Sequence, residues 1–247
     1  MSDSSNDLDS FPSEGEESKK MNPVLLVIAS VFSVIIQMPL LFLPAGRWDW
    51  IEAWIYLIIY FIFMTSNVLV LNKKNPEVLV NRMKTKKEGM KGMTGSDKWL
   101  FPLISVVFIG IFLLPAFDVR YGWSIVPFYI KVLGFVLLAI AFYFLFRSML
   151  ENAYASKVLD VRKESGHKVI NTGPYGIVRH PMYTGFSIMG FGLALALGSW
   201  WTLILATLSM GLLALRIYFE EKMLTEKLEG YSKYKEKVKY KLIPKIY

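Results

Sequence analysis

Long apolar runs broken by short polar stretches set the pattern of this chain. The runs cover residues 23–43, 51–71, 100–117, 124–150, 183–197 and 200–217. None alternates apolar with polar in the manner of a half-buried strand. Most approach the ~20 residues that an α-helix needs to cross the hydrocarbon core of a bilayer. The pattern therefore predicts an all-α, integral membrane helical bundle of about six transmembrane helices. The fifth run is shorter, so it should tilt or begin inside the turn at Pro181. Only Gly198 and Ser199 separate it from the sixth, which predicts a tight C-terminal helical hairpin.

The polar stretches fix the expected connections. Pro44, Ala45 and Gly46 end the first run, and Trp48, Trp50 and Trp54 suit a membrane–water interface. Residues 72–98 are basic, and Gly89, Gly92 and Gly95 weaken any helix there. Residues 118–123 form a short turn. Lys131 and Arg147 lie near the ends of the fourth run, where they can snorkel toward headgroups. Residues 151–182 are the second long polar segment. From residue 218 the chain is charged again. Met223, Leu224 and Leu228 keep helical spacing there, and Pro244 breaks the basic tail that follows. The tail should lie on the membrane or pack over the site.

Three regions follow: residues 1–20, a disordered acidic tail; 21–143, membrane helices with a basic loop; and 144–247, which carries the candidate chemistry. The acidic start does not suit a secretory signal. With six spans, both termini and the two long polar loops share one side. Those segments hold nearly all the Lys and Arg, so the positive-inside rule makes that side cytoplasmic.

Of the 247 residues, 54% are hydrophobic and the net charge is +8. Mean hydropathy is +0.40, which fits a multi-pass membrane protein. The lysines follow the loops, which points away from nucleic acid. The chain has no cysteine and only two histidines. That excludes disulfides, thiolate nucleophiles and thiolate metal sites, and no metal centre is expected.

Both histidines fall in one stretch, His167 to Gly185, HKVINTGPYGIVRHPMYTG. Gly173, Pro174, Gly176 and Pro181 set turns there, and Pro181 drives His180 toward extended backbone. Tyr175, His180 and Tyr183 bring hydrogen-bonding and stacking groups to a loop between membrane segments. Such a loop is a candidate site for a planar, polar ligand, and an ordered loop with two satisfied histidines explains it as well. A second group is Arg216, Glu220 and Glu221. Arg216 and Glu220 are four apart and share a helix face, which an ordinary i,i+4 pair at a membrane boundary also explains.

HKVI, TGPY, RHPMY and EEKML, in that order, resemble the isoprenylcysteine carboxyl methyltransferase family, whose pattern related phospholipid N-methyltransferases share. The resemblance spans residues 144–244. It implies an integral membrane methyltransferase that uses S-adenosyl-L-methionine, held in a cytosolic cofactor pocket closed by the segment after the last helix. It implies a lipid or prenylated substrate entering from the bilayer, with no nucleic-acid partner. By position, His167 and Ile170, with the backbone of Lys168 and Val169 between them, would contact the cofactor. Tyr175, His180, Pro181, Met182 and Tyr183 would line the same pocket, and Glu220 would close it. Arg216 would hold the substrate carboxylate, which makes Arg216 and Glu220 the catalytic candidates. Arg162 stands where members often carry Gln, which bears on cofactor contact or substrate choice.

Methyl transfer from a sulfonium needs an in-line nucleophile and exclusion of water. A carboxylate is already ionised at neutral pH and needs no base, whereas an amine must first lose a proton. The acceptor therefore stays open between a prenylcysteine-like carboxylate and a lipid amine. A sterol-type membrane reductase and a non-enzymatic scaffold are further alternatives.

Overall fold

The computed structural model describes residues 20–76, 78–79, 95–152 and 169–244. Among them the regular elements are all helical. They are α1 (Pro23–Ala45), α2 (Ile51–Lys74), α3 (Asp97–Tyr121), α4 (Phe128–Glu151), a 3-10 turn (Gly173–Gly176), α5 (Pro181–Ala196), α6 (Thr202–Lys227) and α7 (Tyr231–Lys237). The expectations for residues 1–19, most of the basic loop after α2, and Arg162, His167 and Lys168 fall outside the described residues.

Five helices, α1 to α4 and α6, are long and apolar enough to cross a membrane. The fifth apolar run forms α5, which has 16 residues and starts at Pro181 inside the motif turn. At 1.5 Å per residue it rises only about 24 Å, short of the ~30 Å core. The six expected spans are thus five full-length helices and one short one. Val24, Ile28, Ile58, Ile62, Val106 and Ile204 are well exposed, as lipid-facing side chains of a bundle are.

Local chemistry sets the helix ends. The Asn22 side chain accepts from the Val24 N–H at 2.9 Å and Pro23 opens α1. Gly46, at φ +66°, closes it by donating to the Phe42 carbonyl. Asp118 gathers the end of the bundle opposite the motif. It accepts from the Ser124 N–H at 2.7 Å, the Ser124 hydroxyl at 2.6 Å and the Ser199 hydroxyl at 2.5 Å. One buried carboxylate thereby joins the α3–α4 turn to the α5–α6 hairpin. Lys131 Nζ meets Glu52 Oε1 at 2.6 Å. Arg147 pairs with Glu151 at 3.1 Å, one helical turn on.

Small residues bring α4 and α5 into close contact. A Cβ added at Gly134 would lie 2.2 Å from the backbone nitrogen of Ala196, and one at Gly185 would lie 2.8 Å from Leu145 Cγ. In a membrane, where apolar burial does not drive helices together, such approach supplies the packing. Gly134→Ala should force the pair apart and cost about 1–3 kcal/mol. Thermal unfolding in detergent reads the loss. An unchanged melting temperature would show that this approach contributes nothing.

Candidate functional site

The motif turn is built around Glu151 and Gly173. Gly173 has φ +55°, and a Cβ there would lie 2.8 Å from the Glu151 side chain. Glycine is therefore required twice over, for its backbone angle and for space. Thr172 Oγ1 donates to Glu151 Oε2 at 2.8 Å, tying the turn to the end of α4. Pro174 follows as the second residue of the 3-10 turn that carries Tyr175, and Asn152 Nδ2 donates to the Tyr175 hydroxyl at 3.3 Å. His180 precedes Pro181 at φ −126° and ψ 61°, outside the α region that a following proline disfavours but short of the extended backbone expected for it.

The C-terminal segment crosses this turn as a strap. The Arg179 guanidinium donates through one terminal nitrogen to the carbonyls of Val238 and Lys239, at 2.7 and 2.8 Å. The backbone N–H groups of Arg179 and His180 donate to the carbonyls of Tyr240 and Lys241, each at 2.9 Å. Thr184 Oγ1 donates to the Leu242 carbonyl at 2.8 Å. Consecutive carbonyls from 238 to 242 are thus all taken up by residues 179–184. Of the two places expected for the tail, the strap over the motif is the one observed.

Two charged clusters meet beneath the strap. In one, Glu221 Oε1 accepts from Arg179 Nε at 2.6 Å and lies 3.3 Å from His180 Nε2. Its other oxygen is 3.8 Å from Lys241 Nζ. In the second, Glu220 Oε2 accepts from the Tyr183 hydroxyl at 2.7 Å. The His180 and Tyr183 rings stack at 5.7 Å and join the two clusters. Arg216 lies beside them and is bridged from α3 by Asp97. Its Nε donates to Oδ1 at 3.2 Å and a terminal nitrogen donates to Oδ2 at 3.1 Å. Asp97 is 0% exposed. The guanidinium also lies 5.8 Å from the Tyr183 ring centre and 5.9 Å from that of Phe101.

Tyr175, His180, Pro181, Met182, Tyr183, Arg216 and Glu220 therefore gather at one end of the bundle. Val169 packs against Tyr231 and Tyr234 of α7, and half-buried Ile170 follows it. One expectation is corrected. The Arg216–Glu220 spacing suggested a pair within the helix, but the fork of Arg216 is held by Asp97 and Glu220 serves Tyr183. Sequence reasoning missed Asp97, Arg179 and Tyr231. Asp97 carried a weak signal, as an acid at the start of a span on the motif side. Arg179 carried a stronger one, directly before His180-Pro181.

The site also holds an unused polar atom. The Tyr231 hydroxyl is buried and has no hydrogen-bond partner among the described residues. Burial pushes the phenols of Tyr231 and Tyr234 above the ordinary tyrosine value, so both stay protonated and donate at neutral pH. Tyr234 spends its proton on the Tyr175 carbonyl at 2.7 Å. Carboxylates, cations, stacked rings and an unused donor form a set that fits a nucleoside bearing a zwitterionic amino-acid end. Among the described residues no group of three or more His, Cys, Asp or Glu could hold a metal ion.

Residues 129–231 match the model of the phospholipid methyltransferase family. The match supports a membrane methyltransferase. It runs from the first turn of α4 to the start of α7, so it includes the motif turn, Arg179, Arg216, Glu220, Glu221 and Tyr231. Asp97 and the strap lie outside it. No curated protein matches the chain.

Proposed function

We propose that this protein transfers a methyl group from S-adenosyl-L-methionine to the headgroup of a lipid that reaches the site from the bilayer. The observation that carries this reading is the convergence of His180, Tyr183, Glu220 and Glu221 under the strap, within the stretch that matches the methyltransferase family. The cofactor would supply an electrophilic methyl group on a sulfonium. Glu220 would hold its polar end, and Tyr175, His180 and Tyr183 would line the pocket. The strap would exclude water, which matters because transfer rests on alignment and desolvation more than on acid–base help.

Within that reading, the geometry favours a lipid amine as acceptor. A carboxylate acceptor would need the fork of Arg216, and buried Asp97 already occupies it through two bonds. A lipid amine makes no demand on that fork, so the bridge to Asp97 does not oppose it. The match to a phospholipid methyltransferase family points the same way. A prenylcysteine-like carboxylate is the second reading, carried by the RHPMY and EEKML resemblance.

Purified protein given S-adenosylmethionine with phosphatidylethanolamine, or with a farnesylcysteine analogue, decides between them. The expected product is N-methylated phosphatidylethanolamine, detected by mass spectrometry. A methyl ester of the prenylcysteine instead would transfer the assignment to the carboxylate, and no product from either would overturn both.

A further inference from the structure

Tyr231 is the first residue of α7. It follows Gly230, whose φ of +83° turns the chain back from the end of α6. The turn brings the Tyr231 ring among Leu224, Leu228 and Val169, beside the Tyr234 ring at 5.7 Å, and leaves Tyr231 only 4% exposed. The two tyrosines then differ in one respect. Tyr234 donates to the Tyr175 carbonyl, whereas the Tyr231 hydroxyl has no partner among the described residues. A buried hydroxyl without a partner costs stability unless a ligand or an ordered water completes it. The charged groups whose fields reach it are Glu220, Glu221 and Arg179, all from the site. A ligand group that pairs with anions on one side and a cation on the other is a zwitterion. Val169 packs on the same ring and belongs to the start of the motif.

We propose that Tyr231 is a cofactor-binding residue whose hydroxyl donates a hydrogen bond to the amino-acid end of S-adenosylmethionine. This rests on the methyltransferase reading and adds a contact that the motif does not assign. The phenol keeps its proton at neutral pH, so it serves an acceptor such as the ligand carboxylate. The ammonium of the same end would face Glu220.

Tyr231→Phe is the test, because it removes one oxygen and keeps the packed ring. The apo protein should melt at the wild-type temperature or slightly higher, since the group removed has no partner there. Affinity for S-adenosylhomocysteine, measured by calorimetry, should fall about ten-fold or more, as for a hydrogen bond to a charged group. Affinity for methylthioadenosine, which lacks the amino-acid end, should not change. Tyr234→Phe should show the converse on stability, a lower melting temperature from the lost bond to Tyr175. Equal S-adenosylhomocysteine affinity for Tyr231→Phe and wild type would overturn the assignment and leave water as the partner of the hydroxyl. An equal loss for both ligands would also overturn it, by moving the contact to the nucleoside. If wild type binds neither ligand, the methyltransferase reading falls and this contact falls with it.

Discussion

Asp97→Ala should lower the stability of the protein by about 3–5 kcal/mol, because it leaves the Arg216 guanidinium buried without its carboxylate. For a chain of this size that is a fall in melting temperature on the order of 10 °C. The magnitude follows from burial, since Asp97 is wholly enclosed and Arg216 nearly so. An exposed pair would be worth well under about 1 kcal/mol. Replacing both partners by apolar residues, Asp97→Leu with Arg216→Met, should recover most of the loss, because no charge is then left unpaired. The double variant separates structure from chemistry. If Arg216 and Asp97 serve only to pin α3 to α6, it should transfer methyl groups at the wild-type rate per folded molecule. On the proposed reading it should bind cofactor and turn over slowly, because the guanidinium that lies over the Tyr183 ring of the site is gone. Thermal unfolding and single-turnover methyl transfer supply the two readings. A wild-type melting temperature for Asp97→Ala would show that the bridge does not hold the helices.

The same pair shows where the sequence stops being legible. The apolar runs became helices where expected, because hydrocarbon leaves a backbone no other way to satisfy its hydrogen bonds. Pro181 opens α5 and Gly46 ends α1 for local reasons that one residue carries. Arg216 is different. Its sequence neighbour at i+4, Glu220, advertised a local pair worth only about 0.3–0.5 kcal/mol. Asp97 lies far away in sequence and offers two charge-assisted bonds out of water, so the distant partner holds the fork. Where the local pair had no such competitor, as at Arg147 and Glu151, it formed. The strap was legible only as a tail with two resting places. Its acceptors are backbone carbonyls, which every residue carries, so residues 238–242 give no pattern to read. Tyr231 and Tyr234 look alike in the sequence, and only the packing leaves one hydroxyl without a partner.

Arg179→Ala should open the strap. Arg179 joins three parts of the site at once: Nε holds Glu221, one terminal nitrogen holds the Val238 and Lys239 carbonyls, and its backbone N–H holds Tyr240. The substitution removes the first two and keeps the third. It leaves Glu221 to His180 and to the more distant Lys241, so the loss should approach that of a broken buried pair, about 3 kcal/mol. Arg179→Lys keeps the charge but not the fork. One ammonium cannot reach Glu221 and both strap carbonyls in the geometry a planar guanidinium provides, so rescue should be partial. The strap reports its own state, since Lys239 and Lys241 are tryptic sites within it. Wild-type protein should resist trypsin there, Arg179→Ala should be cut readily, and Arg179→Lys should fall between them. Glu221→Gln separates the two halves of the latch. If Arg179 acts through Glu221, adding Glu221→Gln to Arg179→Lys should expose the strap little further than Arg179→Lys alone, because coupled partners are not additive. Additive exposure would instead mean that the carbonyl bonds alone hold the strap. Wild-type resistance in Arg179→Ala would mean that the backbone bonds of Arg179 and His180, with Thr184 Oγ1, suffice, and that the guanidinium has no part in closing the site.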